Sequence, residues 1–359
     1  MRIAIATDAW FPQINGVVRT LAATVAELDR RGYEVELITP ENFTTMPMPG
    51  YAAIRLALAP RFTTRRMLGK FKPDIVHIAT EGPIGWSARG WCKSHGVPFT
   101  SAFHTQFPKY AAVRTGLSED LFWPVMRRFH SSSRAVLAAT PSLAAELRQR
   151  GIERIHSWGR GVDHWLFRPT GELHDLIARL PRPILLNVGR VAPEKNLEAF
   201  LDSNLLGSKV IVGDGPDLDR LRALYPEAHF MGPMAGEELA SAYRTADCFV
   251  FPSHTDTFGL VIIEALSSGV PVAAFPVQGP IDILGPNGRG ADQEMPAIVG
   301  VCDESLDRAV LKALTLDRSA AAVFGQRFSW ERATDQFVAA LTDAHLEAME
   351  LSKLELVTA

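Results

Sequence analysis

The sequence predicts an α/β protein made of two Rossmann-like, doubly wound domains, and three observations support that prediction. Its 359 residues exceed one ordinary core, since a domain commonly holds roughly 100–200 residues. Short apolar runs alternate with helical patterns, which is typical of parallel βαβ units covered on both faces. The alternation starts again at PRPILLNVGR, after a proline-rich segment near residues 166–182. We therefore place one domain at 1–168 and a second at 169–329.

Each series of apolar runs predicts the strands of one sheet. The first series is RIAIATD, EVELIT, DIVHIAT, PFTSAFH and AVLAATP, with VVRTLAATVAELDRRG as a helix that ends at a glycine cap. The second series is PRPILLNVGR, KVIVGDG, HFMGPM, DCFVFPS, PVAAFPV and AIVGVC. Open α/β sheets bind ligands outside the carboxyl ends of their strands, so we expect a ligand cleft between two such edges.

Composition excludes several classes of protein. A hydrophobic fraction of 47% and a charged fraction of 21% are ordinary for a soluble globular chain, and a net charge of −3 gives no general attraction to nucleic acid. Cys92, Cys248 and Cys302 are far apart and odd in number, which argues against disulfides and a cysteine zinc site. The N-terminus is a strand pattern rather than a signal peptide, and no run of 18 apolar residues occurs. We expect a cytoplasmic protein.

The segment 187–196, NVGRVAPEKN, follows a strand and leads into a helical pattern. Gly189 permits a tight turn, and Arg190 and Lys195 then lie near the start of a helix. A helix N-terminus with two cations is suited to an anion such as a diphosphate. The alternative is a solvated loop with surface charges.

The segment 253–264, SHTDTFGLVIIE, combines a polar string with an acid inside an apolar run. Glu264 is costly to bury unless a polar group meets it, and Gly259 permits close approach of the backbone to a ligand. The alternative for Glu264 is a helix residue paired with a nearby Arg or Lys.

GRVAPEKN, VGDGP and PSHTDTFGLVIIEALSSGVPV together resemble the retaining glycosyltransferases of family 4, which have the GT-B fold. The resemblance covers nearly the whole chain. In that family an acidic residue, seven intervening positions and a Glu mark the nucleotide-sugar site, and here the pair is Asp256 and Glu264. The first position is more often Glu, so Asp256 is a departure whose shorter side chain puts its detailed contact in doubt.

The resemblance implies a donor site in the second domain. Glu264 would accept hydrogen bonds from ribose hydroxyls, Asp256 would meet a sugar hydroxyl, and Arg190 and Lys195 would offset the charge of the diphosphate. The remaining donor-binding residues expected there are Gly189, Met234, Thr257, Phe258, Gly259 and Leu260.

In the first domain the resemblance implies two further positions. The loop in DAWFPQINGVVRTL would face the donor phosphates and the acceptor, with Asn15 as a helix cap and Gly16 baring backbone amides. His104, after an apolar strand, would lie close to the transferred carbon. The alternatives are an ordinary strand-to-helix turn and a structural histidine.

The acceptor site is expected around Phe107, Tyr110 and Arg160, although the two aromatic residues can equally belong to the core. The family also has a last helix that crosses back to the first domain. Here that helix is 330–346, with Trp330 and Phe337 on its packing face.

Three patterns argue against other chemistry. The acids of DLD, at 217–219, follow GDGP at the start of a helix, where acidic residues are favourable without any metal. The histidines lack metal-site spacing, so we predict no metal and no cofactor. GDGPDL is not a GxGxxG fingerprint, which disfavours a dinucleotide enzyme.

The expected reaction is transfer of a hexosyl or hexuronosyl group, with retention, from a UDP- or GDP-sugar. The segment RFTTRRMLGKFK is basic without an acid, and FWPVMRRFHSSSR mixes aromatics with Arg, which suits either an anionic membrane surface or a solvated helix with core aromatics. The resemblance to bacterial family 4 enzymes, several of which glycosylate membrane lipids, favours the membrane surface. We therefore expect a lipid acceptor such as diacylglycerol at the inner face of the cell membrane. A transferase of surface polysaccharide or soluble glycoside synthesis, such as a mannosyltransferase, and a non-catalytic nucleotide-sugar sensor are the alternatives. The sequence does not fix the oligomeric state.

Overall fold

A computed structural model describes residues 1–13, 15–48, 51–104, 107–254, 256 and 258–358. The chain divides into two compact units. The first consists of Met1–Gly159 together with Trp330–Ala359, and the second of Arg160–Ser329. Each unit is described by itself below.

The described residues of the first unit form a parallel sheet in the order β2-β1-β5-β6-β7-β8, and an antiparallel pair, β3 and β4. The strands are β1 (Arg2–Ala6), β2 (Glu34–Ile38), β3 (Thr45–Met48), β4 (Tyr51–Ala57), β5 (Ile75–Ile78), β6 (Phe99–Phe103), β7 (Val136–Ala138) and β8 (Ile155–Ser157). The helices before the second unit are α1 (Gly16–Arg30), α2 (Arg61–Phe71), α3 (Pro83–His95), α4 (Phe107–Thr115), α5 (Trp123–His130) and α6 (Pro141–Gln149).

Burial on both faces explains why β1 is an uninterrupted apolar run. Ile3 and Ile5 point into one apolar cluster, and Ala4 and Ala6 point into another on the opposite face. A parallel strand covered by helices on both sides has no solvent face, so its residues need not alternate with polar ones.

The described residues of the second unit form a parallel sheet in the order β11-β10-β9-β12-β13-β14. Its strands are β9 (Ile184–Val188), β10 (Ser208–Val212), β11 (His229–Gly232), β12 (Cys248–Phe251), β13 (Val272–Ala274) and β14 (Gly300–Cys302). Its helices are α7 (Leu197–Leu201), α8 (Leu218–Leu224), α9 (Gly236–Thr245), α10 (Leu260–Ser267), α11 (Gln278–Leu284), α12 (Leu306–Ala313) and α13 (Arg318–Gly325). The predicted architecture of two parallel-sheet α/β domains is confirmed.

The boundary between the units differs from the predicted position at 168/169, because the chain enters the second unit at Arg160. The proline-rich segment packs on α9 rather than linking two bodies. The buried guanidinium of Arg244 donates hydrogen bonds to the carbonyls of Leu166 and Glu172, and the backbone N–H of His174 donates to Thr245 at 2.8 Å. A buried guanidinium needs such acceptors, and they fix the segment to the second unit.

The last helix, α14 (Trp330–Thr358), belongs to the first unit. Phe337 is fully buried in the cluster that contains Ile3 and Ile5. On the surface, Arg31 donates to Asp335 at 2.7 Å, and Gln336 accepts a hydrogen bond from the Gly159 N–H, also at 2.7 Å. None of the described helices is both long and apolar enough to cross a membrane.

Candidate functional site

The strand order of the second unit creates a switch point between β9 and β12. In chain order within the unit, the strands read 3-2-1-4-5-6, so the chain leaves β9 towards one side of the sheet and later returns on its other side. Loops at such a point diverge and leave a crevice at the carboxyl edge. The loop after β9 carries Lys195, and the loop after β12 carries Asp256.

These two loops are joined by an ion pair. Lys195 Nζ lies 2.6 Å from Asp256 Oδ1, with the side chains 26% and 22% exposed. Beside it, Asn196 adopts left-handed backbone geometry, with φ of 52°, and donates a hydrogen bond to the Pro252 carbonyl at 3.1 Å. Asp256 Oδ2 is buried and has no hydrogen-bond partner among the described residues. The second oxygen of the Asp256 carboxylate can therefore accept a hydrogen bond from a ligand.

The loop after β9 packs without spare room against the loop after β10. The Gly189 N–H donates to the Val212 carbonyl at 2.9 Å, and a Cβ on Gly213 would lie 1.8 Å from the Gly189 carbonyl oxygen. Only glycine fits at position 213, where φ is 145°. Arg190, half-buried, follows in this fixed loop. Met234, also half-buried, follows β11 on the neighbouring strand.

Helix α10 begins directly after the polar string. Gly259 precedes it with φ of 96°, a left-handed conformation that suits glycine, and Leu260 is its first residue. Phe258 is buried, and its carbonyl oxygen would lie 2.8 Å from a Cβ on Gly279. Thr257 lies outside the described residues.

The carboxylate of Glu264 lies within α10 and is 2% exposed. It accepts a hydrogen bond from the Tyr243 hydroxyl, at 3.0 Å from Oε2. Tyr243, on α9, is fully buried as well. The sequence prediction offered ribose or a basic residue as the partner and missed this tyrosine, because Tyr243 reads as one more apolar position in its helix.

The first unit has its own switch point, between β1 and β5. Asp8 follows β1 there and accepts hydrogen bonds from the Thr80 hydroxyl and the Ile84 N–H, both at 2.9 Å, and from the Gly85 N–H at 3.3 Å. Burial raises the pKa of Asp8 above its ordinary value, and these donors oppose the rise. Asp8 was not among the predicted site residues, although an acid directly after the apolar run RIAIAT was a visible signal.

Asn15 and Gly16 form the start of α1. Asn15 Oδ1 accepts hydrogen bonds from the backbone N–H groups of Val17 and Val18, each at 3.0 Å. The carboxamide thus satisfies two donors that a helix start leaves open. Gly16 is exposed.

His104 follows β6 and is buried, with its ring edge-on to Trp158 at 5.2 Å between centroids. Trp158 in turn contacts Phe337 of α14 at 4.9 Å. His104 therefore packs against an aromatic cluster to which the last helix contributes Phe337.

The three predicted acceptor residues lie in different settings. Phe107 is 42% exposed at the start of α4, so it is not a core residue. The side chain of Tyr110 lies outside the described residues. Arg160 is buried at the start of the second unit, and burial lowers its pKa to about 10.

No cluster of three or more His, Cys, Asp or Glu side chains in the described ranges is arranged to hold a metal ion. Asp217, at the amino end of α8, pairs with Arg220 at 3.2 Å. The prediction of metal-independent chemistry remains a prediction.

Two Rossmann-like units, one with a cation and carboxylates at its switch point, are typical of α/β enzymes that bind nucleotides. Residues 14–166 match the model of Glycosyltransferase Family 4, and residues 182–314 match that of Glycosyl transferases group 1. The GDP-mannose-dependent alpha-mannosyltransferase of Mycolicibacterium smegmatis is 34% identical over 80% of this chain and 82% of that protein. The chain therefore belongs to the family 4 glycosyltransferases.

A more distant relative is the alpha-monoglucosyldiacylglycerol synthase of Streptococcus pneumoniae, 26% identical over 76% of this chain and 71% of that protein. Among solved structures, Anabaena HepE in complex with UDP and glucose aligns with a TM-score of 0.68. The alignment covers 95% of this chain and 99% of HepE at 15% identity, which shows the shared fold alone. The predicted family, the GT-B fold class and the assignment as a glycosyltransferase enzyme are confirmed.

Proposed function

We propose that this enzyme transfers a hexosyl group, with retention and without a metal, from a nucleotide-sugar to a membrane lipid such as diacylglycerol. The observation that supports nucleotide-sugar binding is the Lys195–Asp256 ion pair between the two switch-point loops, together with the buried Glu264 in the helix that follows the second loop. A cation held at the carboxyl edge of the sheet is suited to a diphosphate.

The donor would occupy this crevice in a defined order. Arg190 and Lys195 would meet the diphosphate, and Glu264 would accept hydrogen bonds from the ribose while Tyr243 holds it in place. The second oxygen of Asp256, buried and without a partner among the described residues, suits a sugar hydroxyl. The GDP-mannose-dependent relative favours a GDP-sugar as the first donor to test.

Transfer with retention breaks the bond between the anomeric carbon and the phosphate oxygen, whose electron pair stays on the diphosphate. The acceptor oxygen bonds to the same carbon on the same face, and its proton passes to the departing phosphate. Lys195 and Arg190 stabilise the charge that develops on the phosphate, which is electrostatic preorganisation. His104 would lie near the transferred carbon.

The proposal of a membrane lipid as the acceptor rests on helix α2. Its Arg65, Arg66 and Lys70 are exposed, and Phe62 beside them is 76% exposed. A solvent-facing aromatic residue among cations suits an anionic membrane surface, where each nearby cation contributes about 1 kcal/mol. The relative named as a monoglucosyldiacylglycerol synthase is consistent with such an acceptor.

The donor is tested by isothermal titration with GDP-mannose, GDP-glucose, UDP-glucose and UDP-glucuronate, followed by product analysis of the anomer formed. Lys195→Ala should lose binding of the preferred donor, while Lys312→Ala, an exposed lysine of the same unit, should keep it. Binding that survives Lys195→Ala unchanged would overturn the diphosphate assignment, and an inverted product would overturn retention.

Binding to an anionic membrane is tested by co-sedimentation with vesicles of phosphatidylglycerol or of phosphatidylcholine alone. We expect binding to the anionic vesicles, its loss in Arg65→Ala/Arg66→Ala, and its retention in the control Lys93→Ala/Arg148→Ala, which removes two exposed cations elsewhere in the unit. Equal binding by both double variants would contradict a role for α2. Transfer to a soluble glycoside without any vesicle binding would instead favour the polysaccharide or glycoside alternative.

A further inference from the structure

The switch point of the first unit holds a chain of polar groups that the proposed mechanism does not use. Glu81 follows β5, and its Oε1 lies 3.3 Å from Nε2 of His130 at the end of α5. Nδ1 of the same ring lies 2.8 Å from the hydroxyl of Ser101 on β6. That hydroxyl lies 3.0 Å from the hydroxyl of Ser133. Ser101, His130 and Ser133 are all buried.

The direction of each hydrogen bond in this chain follows from its far end. The Ser133 hydroxyl lies 2.6 Å from the carbonyl oxygen of Ala135, and a carbonyl can only accept. Ser133 therefore donates to Ala135 and accepts from Ser101. Since the Ser101 proton is directed to Ser133, Ser101 accepts from His130, whose Nδ1 must carry a proton.

This ordering leaves a conflict at the near end of the chain. A neutral imidazole with its proton on Nδ1 presents a lone pair at Nε2, and an ionised Glu81 presents another. The 3.3 Å contact between Nε2 and Oε1 would therefore bring two acceptors together, and a hydrogen bond there needs a donor on one side.

The loop that carries Glu81 is held on its other side by Asp8. The Asp8 carboxylate binds the residues on both sides of Glu81, from Thr80 to Gly85. A Cβ on Gly82 would lie 2.4 Å from that carboxylate, and one on Gly85 would lie 1.9 Å from the Thr80 carbonyl oxygen. Rigid support of this kind is what a binding group needs in order to hold one orientation.

The Glu81 side chain is 11% exposed, and its hydrogen bond within the described residues is the one to His130. An ionised carboxylate has about four acceptor positions. Glu81 therefore retains acceptor capacity at the carboxyl edge of the sheet, at the point where open α/β sheets bind their ligands.

We propose that Glu81, held by His130, is the residue that binds the hydroxyl of the acceptor, and that the acceptor group recognised here is an uncharged alcohol. Glu81 accepts a hydrogen bond from that hydroxyl before its proton passes to the departing phosphate, and Asp8 lies behind it as a second acid. Two acidic groups disfavour a phosphate monoester at this place, whereas a neutral hydroxyl is a donor that a carboxylate accepts well. The assignment rests on the proposed glycosyl transfer and adds the chemical class of its acceptor.

Charged groups also lie near the pair. Asp8, at the end of β1, is close enough to Glu81 for the two charges to interact. Arg89 of α3 donates to the carbonyls of Phe129 and Arg128, which places its guanidinium at the carboxyl end of α5.

The test is Glu81→Gln, which keeps the shape and lets the amide donate to Nε2 of a neutral His130 without an extra proton. Acceptor KM is measured with dioleoylglycerol vesicles, phosphatidylinositol vesicles and free myo-inositol, alongside donor KM. We expect the acceptor KM to rise at least tenfold, with the donor KM changed by less than twofold. Glu41→Gln, an exposed glutamate of the same unit, should match the wild type.

Nitrogen-15 spectra of the His130 ring give a second, independent measurement. The wild-type signals should shift when myo-inositol or glycerol is added, and this shift should be lost in Glu81→Gln. An unchanged acceptor KM in Glu81→Gln, or wild-type ring signals that ignore both polyols, overturns the assignment even if transfer is robust. Failure of donor binding in the wild type counts against the glycosyl transfer itself, and the ring spectra still decide the role of Glu81.

Discussion

The two units place different chemistry at the same topological position. In the second unit the switch point joins a lysine to a carboxylate across 2.6 Å. In the first unit the corresponding edge carries two acids, Asp8 and Glu81, with a buried histidine behind one of them. Strand order decides where a ligand can bind, because the loops diverge there in both sheets. In the two proposals made above, the residue types then decide whether that ligand is an anion or a hydroxyl.

The largest effect on activity is expected when the cation of the second unit is removed. Lys195→Ala should lower kcat by about 100- to 1,000-fold, corresponding to roughly 2.7–4 kcal/mol of lost transition-state stabilisation. The measurement is steady-state turnover with the preferred nucleotide-sugar, with thermal unfolding to confirm that the fold persists. The control is Lys312→Ala. Near-normal turnover by Lys195→Ala would mean that the diphosphate is held elsewhere.

The second comparison adds a methyl group to each switch point. Gly213→Ala meets the Gly189 backbone at 1.8 Å, whereas Gly82→Ala meets the Asp8 side chain at 2.4 Å. We expect each to lower the free energy of unfolding by about 1–3 kcal/mol, more at Gly213, because backbone cannot rotate away. Donor affinity should fall for Gly213→Ala, and acceptor KM should rise for Gly82→Ala.

The matched control for both is Gly90→Ala, in the interior of α3, where a Cβ meets nothing within 4 Å. Alanine there should raise stability by up to about 1 kcal/mol, since glycine is unfavourable inside a helix. If Gly213→Ala behaves like Gly90→Ala in urea denaturation, the close packing of the two loops is wrong.

Acid should destabilise the first unit, because this unit contains His77. This residue is fully buried on β5, and burial lowers its pKa from 6.5 to about 3. Below pH 6.5 the His77 side chain of the unfolded chain binds a proton, whereas that of the folded chain stays neutral down to about pH 3. The contribution of His77 to stability is therefore fully present above pH 6.5 and is lost as the pH falls towards 3. Between pH 7 and pH 5 the loss should be about 2 kcal/mol.

The measurement is urea unfolding at both pH values. His77→Leu combined with Thr100→Val, which removes the 2.9 Å partner of the ring, should abolish about 2 kcal/mol of the acid loss. The control is His156→Leu, a half-buried histidine on β8 of the same sheet. An acid loss of equal size in wild type and double variant would assign the sensitivity to another group.

The smallest effect concerns the support of Glu264. Tyr243→Phe removes the hydroxyl that donates to this carboxylate at 3.0 Å but keeps the buried ring. A hydrogen bond to a charged group is worth about 1.5–3 kcal/mol, part of which a bound ribose would replace, so GDP affinity should fall about threefold to tenfold. Titration calorimetry with GDP measures this, and the control is Tyr225→Phe, which removes a hydroxyl that donates to Asp202 in the same unit. No change in affinity would mean that the tyrosine supports only the fold.

Much of the architecture could be predicted from the sequence, because parallel strands buried on both faces are nearly continuous apolar runs. Every strand of the second sheet had been predicted in this way, from β9 to β14. β8 and the pair β3–β4 had not. β8 contains only Ile155–Ser157 and is half-exposed, and β3 begins with Thr-Met-Pro, so neither presents an apolar run.

The site was predictable where a motif lies within one segment and not where partners are distant in the chain. Lys195 and Asp256 were each identified, but their ion pair joins residues 61 positions apart. Tyr243, Asp8 and Glu81 acquire their hydrogen-bond partners only through tertiary packing, and the domain boundary depends on which acceptors the buried Arg244 finds. Such contacts depend on tertiary geometry that local patterns do not encode.

Helix α14 gives the chain an unusual order of assembly. The second unit is one continuous segment, Arg160–Ser329, whereas the first lacks part of its apolar cluster until Ala333, Phe337 and Leu341 have been synthesised. During translation, at about 5–20 residues per second, the second unit can complete its core while the first still exposes the groove for its last helix. The unit that leaves the ribosome first is therefore finished last, and a stop codon before Trp330 would leave that groove open to aggregation.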